Sequence, residues 1–360
     1  MITHDCYKLQ RLALLPTADS PPIEELHSAL QKLSEDGQQQ LLSLIQHQGL
    51  QFFWLEALRS LPGLPFTSAW RERLKEQCFS TTARYLAQKK SLIELDDLFF
   101  QAGIPYATFK GAHTREILYG NPVFRPSADI DILVAPGERF KAIQNLCAIG
   151  YTLQANIANV SNEVTLVKGN VHLDLHWHIM RPGRPRIDMT NLFLQSRKRC
   201  DFFWALDNDT TLLVLLTHPV FTEYSMGPGS SLVKLADLGR WIAKEEIDWY
   251  RLQHLLEKSG MKTASWITAT LLANLSPWCL PSSVYKAITP QQPKKSILEA
   301  WVKLNLSAKL IHYPGISKYV FTLLAHDRLQ DIMRFIRIYL ADRRNSKSQM
   351  EQLIRASSCQ

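Results

Sequence analysis

Apolar positions recur at helical spacing over residues 22–98. Ile23, Leu26, Leu30 and Leu33 form one stripe at steps of three and four, and Leu41, Leu42, Leu44 and Ile45 form a second. Ser20-Pro21-Pro22 opens this region and Leu61-Pro62-Gly63-Leu64-Pro65 interrupts it. A long helix is predicted next, from about residue 68 to residue 100, stopped at Gly103. The pattern changes at Ile104. Ile104-Pro105-Tyr106-Ala107-Thr108-Phe109 reads as a short strand entering Lys110-Gly111, and residues 112–119 as a helix stopped by Gly120. Asp129-Ile130-Asp131-Ile132-Leu133-Val134 alternates with period two, as a half-buried strand does. Residues 138–149 are helical again, with Gly150 placed as a C-cap. Strands over 164–167 and 171–179 flank Lys168-Gly169-Asn170, where Gly and Asn suit a tight hairpin.

Strand, helix, strand, helix and hairpin make one α/β unit of about 75 residues. From Thr210 onward helical spacing returns: residues 212–216 lead to His218-Pro219, Leu232, Leu235, Leu238 and Ile242 share a face, and 247–259 and 264–275 come next. The expected class is α+β, mostly α, with a small mixed sheet enclosed by helical regions on both sides. The expected divisions are 1–100 (helical), 101–205 (α/β core), 206–280 (helices packing on the core) and 281–360 (basic helices).

With 46% apolar and 21% charged residues, the composition excludes a disordered tail, a collagen-like fibre and a coiled-coil rod. No apolar run reaches the ~18 residues of a bilayer crossing. The opening Met1-Ile2-Thr3-His4-Asp5-Cys6 lacks the pattern of a secretory leader. Cys6, Cys78, Cys147, Cys200, Cys279 and Cys359 include no Cys-x-x-Cys pair, which suggests reduced thiols and a cytoplasmic setting. The net charge of +8 is local. Residues 281–360 hold 13 Lys/Arg against 5 Asp/Glu, leaving 28 against 28 elsewhere. The excess reads either as a basic surface for an anionic partner or as a solvated helical tail.

Three stretches could carry chemistry. Asp129 and Asp131, two apart on a strand, project from one face about 6–7 Å apart, a spacing suited to a hard divalent cation. The alternative is a polar solvent-facing edge. In Val171-His172-Leu173-Asp174-Leu175-His176-Trp177-His178, the leucines and tryptophan face one way, the histidines and Asp174 the other. Asp174 could join Asp129 and Asp131 in a three-carboxylate cradle, or His172, Asp174 and His176 could bind zinc; with no His-Glu-x-x-His, the first reading is favoured. Phe109-Lys110-Gly111-Ala112 takes a strand straight into a helix N-terminus, where free N–H groups could meet a phosphate. An ordinary strand-to-helix turn is the alternative, and no P-loop pattern is present.

In chain order, Lys110-Gly111-Ala112, Arg125-Pro126-Ser127-Ala128-Asp129-Ile130-Asp131-Ile132-Leu133-Val134 and Asp174-Leu175-His176-Trp177 resemble the polymerase-beta-like nucleotidyltransferase superfamily. More narrowly they resemble its bacterial family of largely uncharacterised nucleotidyltransferases. Leu118-Tyr119, Gly150-Tyr151, Leu235-Ala236-Asp237-Leu238 and Ile247-Asp248-Trp249 extend the likeness over about residues 25–275. One departure stands out: Gly111 is followed by Ala112, where the superfamily usually places Ser or Gly.

The resemblance implies transfer of a nucleoside monophosphate from an NTP, ATP foremost, with Mg²⁺ or Mn²⁺ held by Asp129, Asp131 and Asp174. It places Lys110, Gly111, Ala112, Arg125 and Lys234 at the triphosphate, and His176 behind the metal-bound carboxylates. The implied acceptor is a hydroxyl of a small molecule, peptide or protein. An RNA end is the further option through basic residues 281–360, and no membrane partner is expected. A non-catalytic nucleotide-sensing or protein-binding module on the same fold, and a zinc hydrolase, are the rivals.

Overall fold

The computed structural model describes residues 6–61, 67–154, 162–224, 232–276, 278–306 and 315–358. The Pro62-Gly63-Leu64-Pro65 break, the opening Met1-Ile2-Thr3-His4-Asp5 and Cys359 lie outside them.

Five helices come first: α1 (Cys6–Leu14), α2 (Ile23–Gln31), α3 (Glu35–His47), α4 (Gln51–Ala57) and the long α5 (Thr67–Gln101). The core comes next as β1 (Tyr106–Phe109), α6 (Lys110–Leu118), β2 (Ile130–Val134), α7 (Arg139–Ala148), β3 (Thr152–Leu153), β4 (Glu163–Lys168) and β5 (Val171–His176). After α8 (Thr190–Gln195), β6 (Lys198–Arg199) and β7 (Trp204–Ala205) come α9 (Asn208–Pro219), α10 (Leu232–Lys244), α11 (Trp249–Ser259) and α12 (Lys262–Leu275). The chain closes with α13 (Ser282–Ile288), α14 (Lys294–Leu306), α15 (Gly315–Leu324) and α16 (Leu329–Ser358). The class is α+β, mostly α, as expected.

The sheet is mixed, in the order β3-β4-β5-β2-β1-β7-β6. β2 pairs with β5 in parallel, β1 with β7 in parallel, and the remaining neighbours run antiparallel. Strands β3, β6 and β7 are additions to the expected set, because two residues are too few for alternation to register. At the hairpin, Gly169 alone adopts positive φ (+61°). The fourth expected strand ends at His176 and not at residue 179: β4 begins at Glu163, opposite His176, and the ladder between the two strands stops with that pair.

Period-two alternation gives the sheet two faces. Ile130, Ile132 and Val134, Val164 and Leu166, and Val171, Leu173 and Leu175 pack against Leu92, Leu95 and Phe99 of α5. Ile143 and Leu146 of α7, with Met350 and Leu353 of α16, complete that cluster. Each such aliphatic side chain contributes about 1.5–3 kcal/mol through burial. The opposite face offers Ala107, Phe109 and Leu133 to a larger helical core running from Leu9 to Ala325.

Val284, Ile288, Leu298, Val302, Leu306 and Phe321 belong to that larger core, so the basic last 80 residues are integrated into the molecule. The Ile247-Asp248-Trp249 motif is a helix start: the Asp248 carboxylate accepts from the Tyr250 and Arg251 N–H groups. No described helix is long and apolar enough to cross a membrane. Cys78, Cys200 and Cys279 are free thiols.

Candidate functional site

The site begins with register. Parallel pairing sets Asp131 of β2 directly beside Asp174 of β5, and antiparallel pairing sets Thr165 of β4 beside Asp174 and Glu163 beside His176. One face of three adjacent strands therefore presents carboxylate, carboxylate and hydroxyl in one row, then imidazole and a further carboxylate. Asp129 stands just before β2 and, with Asp174, lines a cleft of about 800 Å³ whose other walls include Ala83 and Arg84 of α5.

Asp131 is buried and doubly partnered. Its Oδ1 accepts from Lys110 Nζ (2.5 Å) and from His176 Nε2 (2.9 Å). Burial opposes ionisation, yet the ammonium and the imidazole hold the carboxyl well below the ordinary range. His176 Nδ1 faces Glu163 Oε2 at 3.1 Å. With both ring nitrogens against carboxylates, His176 is favoured as the imidazolium; burial and Lys110 lower its pKa, but the two carboxylates outweigh them and raise it. Asp174 Oδ1 accepts from Thr165 Oγ1 (2.7 Å). Burial raises the Asp174 pKa, with Asp131 adding to the shift. Asp129 is pushed up to about 6 by burial and by the charges of Asp131 and Asp174.

That mutual repulsion is the test of fit for a divalent cation. Asp131 and Asp174 stand side by side and Asp129 feels the charge of both; burial first, and then that repulsion, raises the Asp129 and Asp174 pKa values, which a cation would relieve. Asp131, Asp174 and His176 each bring one potential ligand atom within 4.8 Å of the others. His176 already spends both nitrogens on carboxylates, so oxygen donors fit the spot better than a zinc site through His172, Asp174 and His176. His172 is exposed on the cleft wall.

The turn at Lys110 is built under constraint. Among the described residues, Lys110 is the one non-glycine with φ in the left-handed region, at +55°. Gly111 is needed for space: an added Cβ would lie 2.3 Å from Arg125 Nη1 and 2.5 Å from Ser127 Oγ. The Ala112 methyl is buried in the apolar cluster behind the sheet. Arg125 is buried as well. Its Nε and Nη2 reach Asp237 Oδ2 (2.8 Å each) and its Nη1 donates to the Pro126 carbonyl (2.6 Å). Asp237 also accepts from Thr114 Oγ1 (3.0 Å) and Tyr119 OH (2.7 Å), so the Leu235-Ala236-Asp237-Leu238 motif anchors α10 to the turn. Lys234, one turn earlier on α10, is pushed down to about 8 by burial and by the charges of Arg125 and Lys110.

Residues 34–277 match the model of a family described as an uncharacterised nucleotidyltransferase. The chain belongs to that family. Membership agrees with the expected extent of the likeness and makes the chain a nucleotidyltransferase-type protein with a candidate acidic metal site. No curated protein matches the chain. Among solved structures, an antigenic nucleotidyltransferase-like protein from Paracoccidioides brasiliensis is 17% identical over 57% of this chain and 98% of its own, with a TM-score of 0.35.

Within this nucleotidyltransferase family member, Glu163 and Thr165 stand at the candidate site without being singled out by sequence reasoning, and Asp237, quoted above only within a motif, braces the turn through Arg125. A signal for the first two is present, since Glu163 and Thr165 alternate with Val164 and Leu166 as strand residues do. A strand start placed at residue 164 excludes Glu163.

Proposed function

We propose that this protein transfers a nucleoside monophosphate from an NTP to a hydroxyl acceptor, with release of pyrophosphate. The observation that carries the reading is the in-register pair Asp131–Asp174, with Asp129 beside Asp174 on the cleft wall and Lys110 of the turn bonded to Asp131. Asp129, Asp131 and Asp174 would hold Mg²⁺ or Mn²⁺. Such ions supply Lewis-acid neutralisation of the triphosphate and of the attacking oxygen.

The chain's own groups do the rest. Asp174, its pKa raised by burial, would hold the metal or instead accept the acceptor's hydroxyl proton as the new O–P bond forms at the α-phosphorus and the bond to the pyrophosphate breaks. Lys110, Lys234 and the N–H groups of Gly111 and Ala112 supply positive potential for the leaving pyrophosphate, and Arg125 adds its charge from beneath the turn. His176, held between Asp131 and Glu163, fixes the Asp131 carboxylate in place. ATP is the first donor to test; a small molecule, peptide or protein is favoured as acceptor. The free thiols support a cytoplasmic setting.

Incubation with each α-labelled NTP, Mg²⁺ and a cell extract should place label on one class of acceptor. Asp129→Asn and Asp131→Asn should each lower incorporation by at least about 100-fold. Wild-type turnover in either variant would defeat the assignment.

A further inference from the structure

Helix α16 meets the rest of the protein along one side. Phe335 and Asp331 are buried, and Arg186 grips Asp331 through Nε and Nη2 (2.8 and 2.7 Å). The opposite side carries Leu329, Met333, Ile336 and Leu340, exposed by 70, 54, 43 and 50%. Steps of four, three and four keep them on one line of the helix, about 16 Å long. Scattered exposed apolar residues are ordinary, but four in register along one line of a helix are not. Arg328 and Arg337 are exposed on the same stretch, Arg334 between them is half-buried and donates to the Pro185 carbonyl, and residues 328–347 hold six Lys/Arg against two Asp.

We propose that this face of α16 docks on the anionic surface of a lipid bilayer. The apolar line would enter the headgroup–acyl boundary while the arginines meet lipid phosphates, the chemistry of helices that lie in the interface plane. Charge selects this occupant. A second copy would set the same positive excess against itself, and RNA would satisfy the arginines while leaving Leu329, Met333, Ile336 and Leu340 in water. The expectation of no membrane partner rests on finding no spanning segment; that no described helix is long and apolar enough to cross a membrane does not bear on surface attachment.

Flotation of the full chain with vesicles tests this. Binding to phosphatidylcholine vesicles containing about 30% phosphatidylglycerol should exceed binding to pure phosphatidylcholine by at least about tenfold, and should weaken with salt. Met333→Glu with Ile336→Glu should lower it by at least about tenfold with an unchanged melting temperature, because both positions face solvent. Arg337→Gln, which leaves the apolar line intact, should weaken it by a smaller factor. Three results would overturn the proposal: no preference for the anionic vesicles, equal binding by the double glutamate variant, or a wild-type dimer in light scattering that the same variant dissolves. Binding of a single-stranded RNA that survives the double substitution, with no vesicle binding, would assign the surface to nucleic acid instead.

Discussion

A buried carboxylate is tolerated only with partners, and Asp131 has two cations on one oxygen. Gly111 makes the neighbouring turn equally dependent on its surroundings, because the guanidinium it touches cannot retreat: Asp237 and the Pro126 carbonyl hold Arg125. Gly111→Ala should therefore destabilise the protein by about 1–3 kcal/mol, the usual cost of overpacking, read as a fall in melting temperature. An unchanged melting temperature would mean that Arg125 yields. Lys234 permits a test at the same scale. With its pKa near 8 in the free protein, an anionic triphosphate must bring a proton back to it at higher pH. Affinity for a non-hydrolysable ATP analogue should fall by up to about tenfold per pH unit above about 8, and Lys234→Arg should remove the fall, since arginine stays charged. A flat wild-type profile would place Lys234 away from the triphosphate.

At the scale of elements, the hairpin β4–β5 carries the support of the site. Glu163 is held near 2, below its ordinary 4.5: burial opposes the shift, and the His176 imidazolium overcomes it. A lowered folded pKa stabilises the protein above about pH 4.5, and that contribution disappears as pH falls toward about 2. His176 has the opposite sign, its raised pKa stabilising fully below about 6.5 and losing effect as pH rises past the folded value. Glu163→Gln should cost about 1.5–3 kcal/mol near pH 5–6.5, and the gap should shrink on both sides of that window in urea titrations. A gap independent of pH would separate Glu163 from His176.

Much of this element is legible from the residues alone. Alternation locates β2, β4 and β5 and aligns Asp129 with Asp131, and Asp174 with His176. What alternation does not contain is which strands are neighbours: the parallel pairing that brings Asp174 to Asp131 spans 43 residues of chain and depends on the crossover. Arg125 and Asp237, 112 positions apart, show the same limit. Nothing in Arg125-Pro126-Ser127-Ala128-Asp129 shows that its arginine is gripped by a buried carboxylate across the core.

For the whole molecule, the basic terminal region is a wall of the fold. Its first helices complete the larger core, and α16 closes the rear of the sheet with Met350 and Leu353. The same helix begins with the apolar line at Leu329. One rod of about 45 Å thus joins an outer surface to the back of the strands that hold Asp131 and Asp174. A clip midway along that rod would leave the outer line in place and loosen the cover that Met350 and Leu353 give to α7. If the carboxylate face carries the proposed transfer, limited proteolysis there should lower label incorporation while every acidic residue of that face stays in place.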